Sequence, residues 1–71
     1  MTKLGEIVKT NKINKVSDLW LVKDLRLAEN GIPAYVVMGL RRNDDGTCAG
    51  WFSMTNGTLK EMRNFIKNNI T

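Results

Sequence analysis

Residues 26–42 read RLAENGIPAYVVMGLRR, and the fold turns on the role of AENGIP, residues 28–33. Asn-Gly between apolar residues is a strong hairpin signal, because both positions tolerate positive φ. The same pair also stops helices, with glycine one place beyond the cap. In the first case residues 18–28, DLWLVKDLRLA, are a strand. In the second they are a helix.

The pattern of residues 18–28 favours the strand. Leu19, Leu21, Leu25 and Leu27 then share one face, interrupted only by Lys23. Trp20, Val22, Asp24, Arg26 and Ala28 share the other. Wound at 100° per residue, the same apolar side chains scatter around the wheel and leave no stripe. Ser17 as a possible N-cap and the helix propensity of leucine support the alternative, a helix–hairpin–helix layout. The period-two reading makes ENG a hairpin turn.

The flanking segments extend this layout. Residues 33–42, PAYVVMGLRR, are the clearest strand, since Tyr35, Val36 and Val37 are strong β formers and Pro33 suits a first strand position. Ala34, Val36, Met38 and Leu40 share one face of it, and Tyr35, Val37, Gly39 and Arg41 the other. NDDG at 43–46 predicts a second reversal. In TCAGWFSM, residues 47–54, Cys48, Phe52 and Met54 form one face and Thr47, Ala49, Trp51 and Ser53 the other, with Gly50 a candidate bulge. KLGEIVK, residues 3–9, reads as a weaker strand. Residues 58–70, TLKEMRNFIKNNI, form an amphipathic helix: Thr58 and Glu61 have capping-box spacing, and Leu59, Met62, Phe65, Ile66 and Ile70 line one stripe. The expected fold is α+β, one domain over residues 1–71. An antiparallel sheet of three to four strands precedes a C-terminal amphipathic helix packed on one face. The helix stripe is expected to meet the leucine face of residues 19–27 and the Val36, Met38 and Phe52 faces of the next two strands.

Composition narrows the chemistry. With 71 residues, one cysteine and no histidine, neither an internal disulfide nor a zinc site accounts for stability, so a homodimer is expected. No run is long and apolar enough to span a bilayer, the charged start is unlike a secretory leader, and a free cysteine suits the cytoplasm. Eleven Lys and Arg against seven Asp and Glu give a net charge of +4, which suits contact with phosphate. No nucleophile–base pair, paired carboxylates or phosphate loop can be assembled, so no enzyme, cofactor or metal is expected. Cys48 falls on the expected core face as a small hydrophobe.

The sheet face left uncovered is then expected to carry Trp20, Arg26, Tyr35, Arg41 and Trp51. Flat rings stack on unpaired bases, and guanidinium groups pair with phosphate or stack. A duplex hides its base faces, so single strands are the expected partner. Trp20, Tyr35 and Trp51 are the stacking candidates. Arg26, Arg41, Arg42, Lys9, Lys12 and Lys15 are the phosphate candidates. Two other readings stay open: the aromatics stabilise the sheet as cross-strand pairs, or they form a protein interface. The latter corresponds to an interaction module or inhibitor, phage-encoded for example, that docks on a host enzyme.

In layout, YVVMGLRRNDDG and GWFSMTNGTLKEMRNFI resemble the third strand, acidic-glycine turn, last strand and capped helix of the positive-cofactor-four family of transcriptional coactivators. The resemblance spans nearly the whole chain. It implies a curved four-stranded sheet before one helix, a dimer formed partly through the helices, and single-stranded DNA binding in replication, transcription or recombination. The chain departs from the family where lysines usually precede the last strand's apolar residues. It has DGTCAGWF there, so Arg41, Arg42 or the N-terminal lysines must supply the basic contacts.

Overall fold

The computed structural model describes residues 3–10 and 16–70. The elements run β1 (Ile7–Lys9), β2 (Val16–Lys23), α1 (Leu25–Glu29), β3 (Tyr35–Arg42), β4 (Cys48–Gly57) and α2 (Leu59–Asn69). The four strands form one antiparallel meander in the order β1-β2-β3-β4. Residues of high β propensity build the sheet's centre, and α2 lies across one face of it.

AENGIP both ends a helix and lies inside a hairpin connection. β2 stops at Lys23, and the Asp24 carboxylate accepts the amides of Arg26 at 2.9 Å and Leu27 at 3.4 Å, which caps α1. Gly31 takes φ +71°. Its amide donates to the Ala28 carbonyl, and that of Ile32 donates to the Leu27 carbonyl, the paired bonds of a Schellman stop. The Asp24 amide donates to the Ala34 carbonyl at 2.7 Å and closes the loop, so β2 and β3 pair around an inserted helical turn. The continuous strand over 18–28 and the tight ENG turn are therefore corrected. Leu25 extends the leucine alternation in sequence, yet its side chain is 68% exposed.

This longer connection resets the strand phase. Leu21 pairs with Val37 and Leu19 with Gly39, so Tyr35, Val37 and Gly39 lie on the leucine side and Val36 and Met38 on the other. The expected meeting of α2 with Val36 and Met38 is corrected accordingly. Phe52 and Met54 do pack against the core, as expected, whereas Cys48 is exposed rather than buried. The Asn43 amide donates to the Thr47 carbonyl and the Gly46 amide to the Asn43 carbonyl, which makes 43–46 the expected reversal. Irregularities in the β3–β4 register fall near Met54 and beside Gly50, whose φ is +112°.

The core is small. Val16, Leu19, Leu21, Val37, Met62 and Ile66 form its buried cluster, with Tyr35, Phe52, Met54, Leu59, Phe65 and Ile70 packed around it. Gly39 leaves the room that Met54 fills, because an added Cβ would lie 2.6 Å from the Met54 sulfur. Beyond the end of α2, Thr10 and Ile70 form a β-bridge and the Thr10 hydroxyl donates to the Asn69 carbonyl, which ties the chain's last turn to the end of β1.

The expected capping box is present. The Thr58 hydroxyl oxygen accepts the Glu61 amide at 3.3 Å, and the Glu61 carboxylate accepts the Thr58 amide at 3.1 Å. The Thr58 amide and, at 3.0 Å, the Thr58 hydroxyl donate to the Glu61 carboxylate and hold that carboxyl below its ordinary value of 4.5. The Thr47 hydroxyl and amide do the same for Asp45, whose ordinary value is 3.8. A folded value below the unfolded one means that this stability is present above the unfolded pKa and is lost as pH falls through the folded one. The urea midpoint is therefore expected to decline on acidification below pH 4.5. Glu61→Gln should flatten part of that decline, and an unchanged decline would assign it wholly to other carboxylates.

Candidate nucleic-acid interface

Because side chains alternate along a strand, the register sorts them into two faces. On the face opposite α2, Ile7, Trp20, Met38 and Ser53 form one cross-strand row, and Lys9, Asp18, Leu40 and Trp51 form the next. Arg42 follows two places after Leu40, on the same side of β3. Val22, Val36 and Asn56 form a third row toward the α1 end. There Val36 is buried, and Asp24 and Leu27 line a shallow hollow of about 320 Å³ with it. Among the described residues, no helix lies over the rows holding the two tryptophans.

Trp20 and Trp51 sit diagonally across β3, their ring centroids 5.5 Å apart and their planes at 61°. This edge-to-face contact is a favoured aromatic geometry, worth about 0.5–1.5 kcal/mol beyond the area buried. Trp20 is half-buried, and its enclosed indole Nε1 meets no hydrogen-bond acceptor among the described residues. Trp51 is 36% exposed and Ile7, next to Trp20 in the first row, 53%. The outer ring is thus available to a ligand while the inner one props it.

Of the residues named from sequence, the structure brings Trp20, Trp51, Lys9 and Arg42 to this face. Tyr35 and Arg41 go to the other side. Tyr35 packs against the core, and the Arg41 guanidinium lies 4.8 Å over the Phe52 ring. Their expected place on the uncovered face is corrected: a three-residue difference in β2–β3 pairing reverses which side of β3 faces the helix. Arg26 belongs to α1 and not to the sheet. Lys12 and Lys15 lie outside the described residues. The Arg42 side chain donates to the Gly46 carbonyl at 3.3 Å, which holds it beside the 43–46 turn.

Arg41 stays close to the interface through β4. Opposite it stands Gly50, which offers no side chain. A hollow of about 290 Å³ opens there, lined by Arg41, Ala49, Gly50, Trp51 and Phe52. Residues from both faces meet at this end of β4. The sequence pattern also passed over Met38, Leu40 and Ile7, which surround the tryptophans. Their place follows from the register alone, and no composition or motif signals it.

Among the described residues, no three His, Cys, Asp or Glu side chains converge as a metal site, and no helix is long and apolar enough to cross a membrane. No family model, curated protein or solved structure matches the chain.

Proposed function

We propose that the protein binds single-stranded nucleic acid, DNA or RNA, without catalysing a reaction, by stacking unpaired bases on the sheet face opposite α2. The observation that carries this reading is the Trp20–Trp51 pair at 5.5 Å on the face opposite α2, where no helix of the described residues lies over the rings and Trp51 is open to solvent. Lys9 and Arg42 flank the rings, and Arg41 lies around the β4 end. Arg26 on α1 and the lysines at 12 and 15 add to the positive field of a chain with net charge +4. The resemblance to the positive-cofactor-four family points the same way. It adds a homodimer acting in transcription, replication or recombination, and the free cysteine adds a cytoplasmic setting.

Phosphate contacts release counterions from a single strand, so affinity should fall with salt at a slope of about −0.7 per contact. With Lys9, Arg41 and Arg42 engaged, raising salt from about 50 to about 200 mM should weaken binding roughly 20-fold. Titration of the intrinsic tryptophan fluorescence with a homopolymeric deoxythymidine oligonucleotide reads this directly. No quenching at low salt would overturn the proposal.

A second reading has its own support. Ile7, Met38, Leu40 and the two rings make a patch more apolar than cationic, and aromatic anchors of this kind also dominate protein interfaces. In that case a protein partner is retained on the immobilised protein after nuclease treatment, and binding to the oligonucleotide is absent.

A further inference from the structure

The two edges of the sheet are unequal. β1 is three residues long and carries Lys9, whereas β4 runs ten residues, CAGWFSMTNG, with neither a charged residue nor a proline. Among the described residues β4 pairs only with β3, so its outer row of amides and carbonyls has no strand beside it. A long, uncharged edge is a template for a further strand, and proteins usually blunt such edges with lysine, proline or a covering loop. Only the register irregularities near Met54 and Gly50 interrupt this one.

We infer that β4 pairs antiparallel with β4 of a second copy, joining two four-stranded sheets into one of eight strands. Three observations select a second copy as the occupant. Antiparallel pairing of identical strands is closed by a two-fold axis, so it ends at two chains. The segment is uncharged in a chain of net charge +4, so the axis brings no like charges together. The outward side of α2 carries Lys60, Asn64, Lys67 and Asn68, all exposed, which leaves no apolar surface for association through the helices.

The geometry has a consequence for the ligand face. A two-fold axis perpendicular to the sheet keeps both α2 helices on one side and both tryptophan pairs on the other. The two Trp51 rings then approach across the new seam, and the stacking surface becomes continuous over both chains. This consequence rests on the proposed function, but the association itself does not. One strand pair buries less than the ~800 Å² per partner of a tight complex, so the dimer is reversible and depends on concentration.

Sedimentation of the protein alone, from about 5 to about 500 µM, is expected to show a monomer–dimer equilibrium, in keeping with the small strand interface. Ser53→Lys, at an exposed position near the middle of β4, sets two cations beside the axis and should shift the equilibrium at least tenfold toward monomer. Asn64→Lys on α2 should leave it unchanged. The single cysteine gives an independent readout on the unmodified sequence: in the register that sets Phe52 opposite its copy and keeps each face together, spin labels on Cys48 should lie roughly 26 Å apart, eight strand steps of rise. A monomer throughout the range overturns the inference, as does a dimer that Ser53→Lys leaves intact or a label distance far from this value. None of these measurements involves an oligonucleotide. A dimer that fails to bind one refutes the stacking reading alone, and a monomer that binds one refutes the edge pairing alone.

Discussion

Trp51→Ala is expected to weaken binding of a single-stranded oligonucleotide about 5- to 150-fold, the factor for one lost base stack of about 1–3 kcal/mol. The ring is the outer member of the tryptophan pair and is 36% exposed. Its removal leaves the core cluster intact but forfeits the edge-to-face contact, about 0.5–1.5 kcal/mol, so the urea midpoint should fall modestly and by less than for Trp20→Ala. Trp20→Ala should cost affinity and stability together, because that ring is half-buried and enclosed beside β3. Tyr35→Phe separates the observed register from the one read in the sequence. Tyr35 lies on the α2 side, packed against the core, so losing its hydroxyl should leave oligonucleotide affinity within twofold. Equal losses for Tyr35→Phe and Trp51→Ala, measured by fluorescence anisotropy, would place the ligand on the wrong face of the sheet.

That contrast marks how far the sequence could be read. The capped terminal helix was legible because Thr58, Glu61 and the stripe from Leu59 to Ile70 encode it locally. The 43–46 reversal and the stretch of β4 from Trp51 to Met54 were legible too, since Phe52 and Met54 alternate with Trp51 and Ser53, but Cys48, expected on the core face, is exposed beyond the irregularity beside Gly50. What failed were two long-range quantities, the register of β3 on β2 and the phase of β4 on β3. A tight turn at Asn30-Gly31 would set Leu21 opposite Leu40, whereas Leu21 pairs with Val37, three residues earlier. Asp24 is the cause. Its carboxylate captures two amides and starts a helix where the leucine alternation suggests continued strand. Because three is odd, the shift carried Tyr35 and Arg41 to the helix side and brought Met38 and Leu40 among the tryptophans. Trp20 kept its place because β2 sets it, and Trp51 because the phase of β4 on β3 differed as well: Met38 pairs with Ser53 and Leu40 with Trp51, where Met38 was expected to share a side with Phe52, so the two differences cancel. Arg26 was lost to α1 by the same capping event.

The uncovered face exists only while α2 holds the other, and Ile66→Ala tests that dependence. Ile66 is fully buried and belongs to the cluster that includes Leu19, Leu21, Val37 and Met62. Truncating a buried isoleucine removes transfer energy and leaves a cavity, together costing about 2–5 kcal/mol. Domains hold about 0.05–0.15 kcal/mol of stability per residue, or roughly 4–10 kcal/mol at this length. The substitution therefore removes a large share of the total, and the urea midpoint should drop by roughly a fifth or more. Leu25→Ala is the matched control: it deletes a large apolar side chain that is 68% exposed, and should change stability by less than about 0.5 kcal/mol. The comparison also tests the divided reading of residues 18–28, since an unbroken strand would bury Leu25 beside Leu21. Equal losses at the two positions would refute the capped turn after Lys23, and with it the register that places Trp20 and Trp51 on the open side.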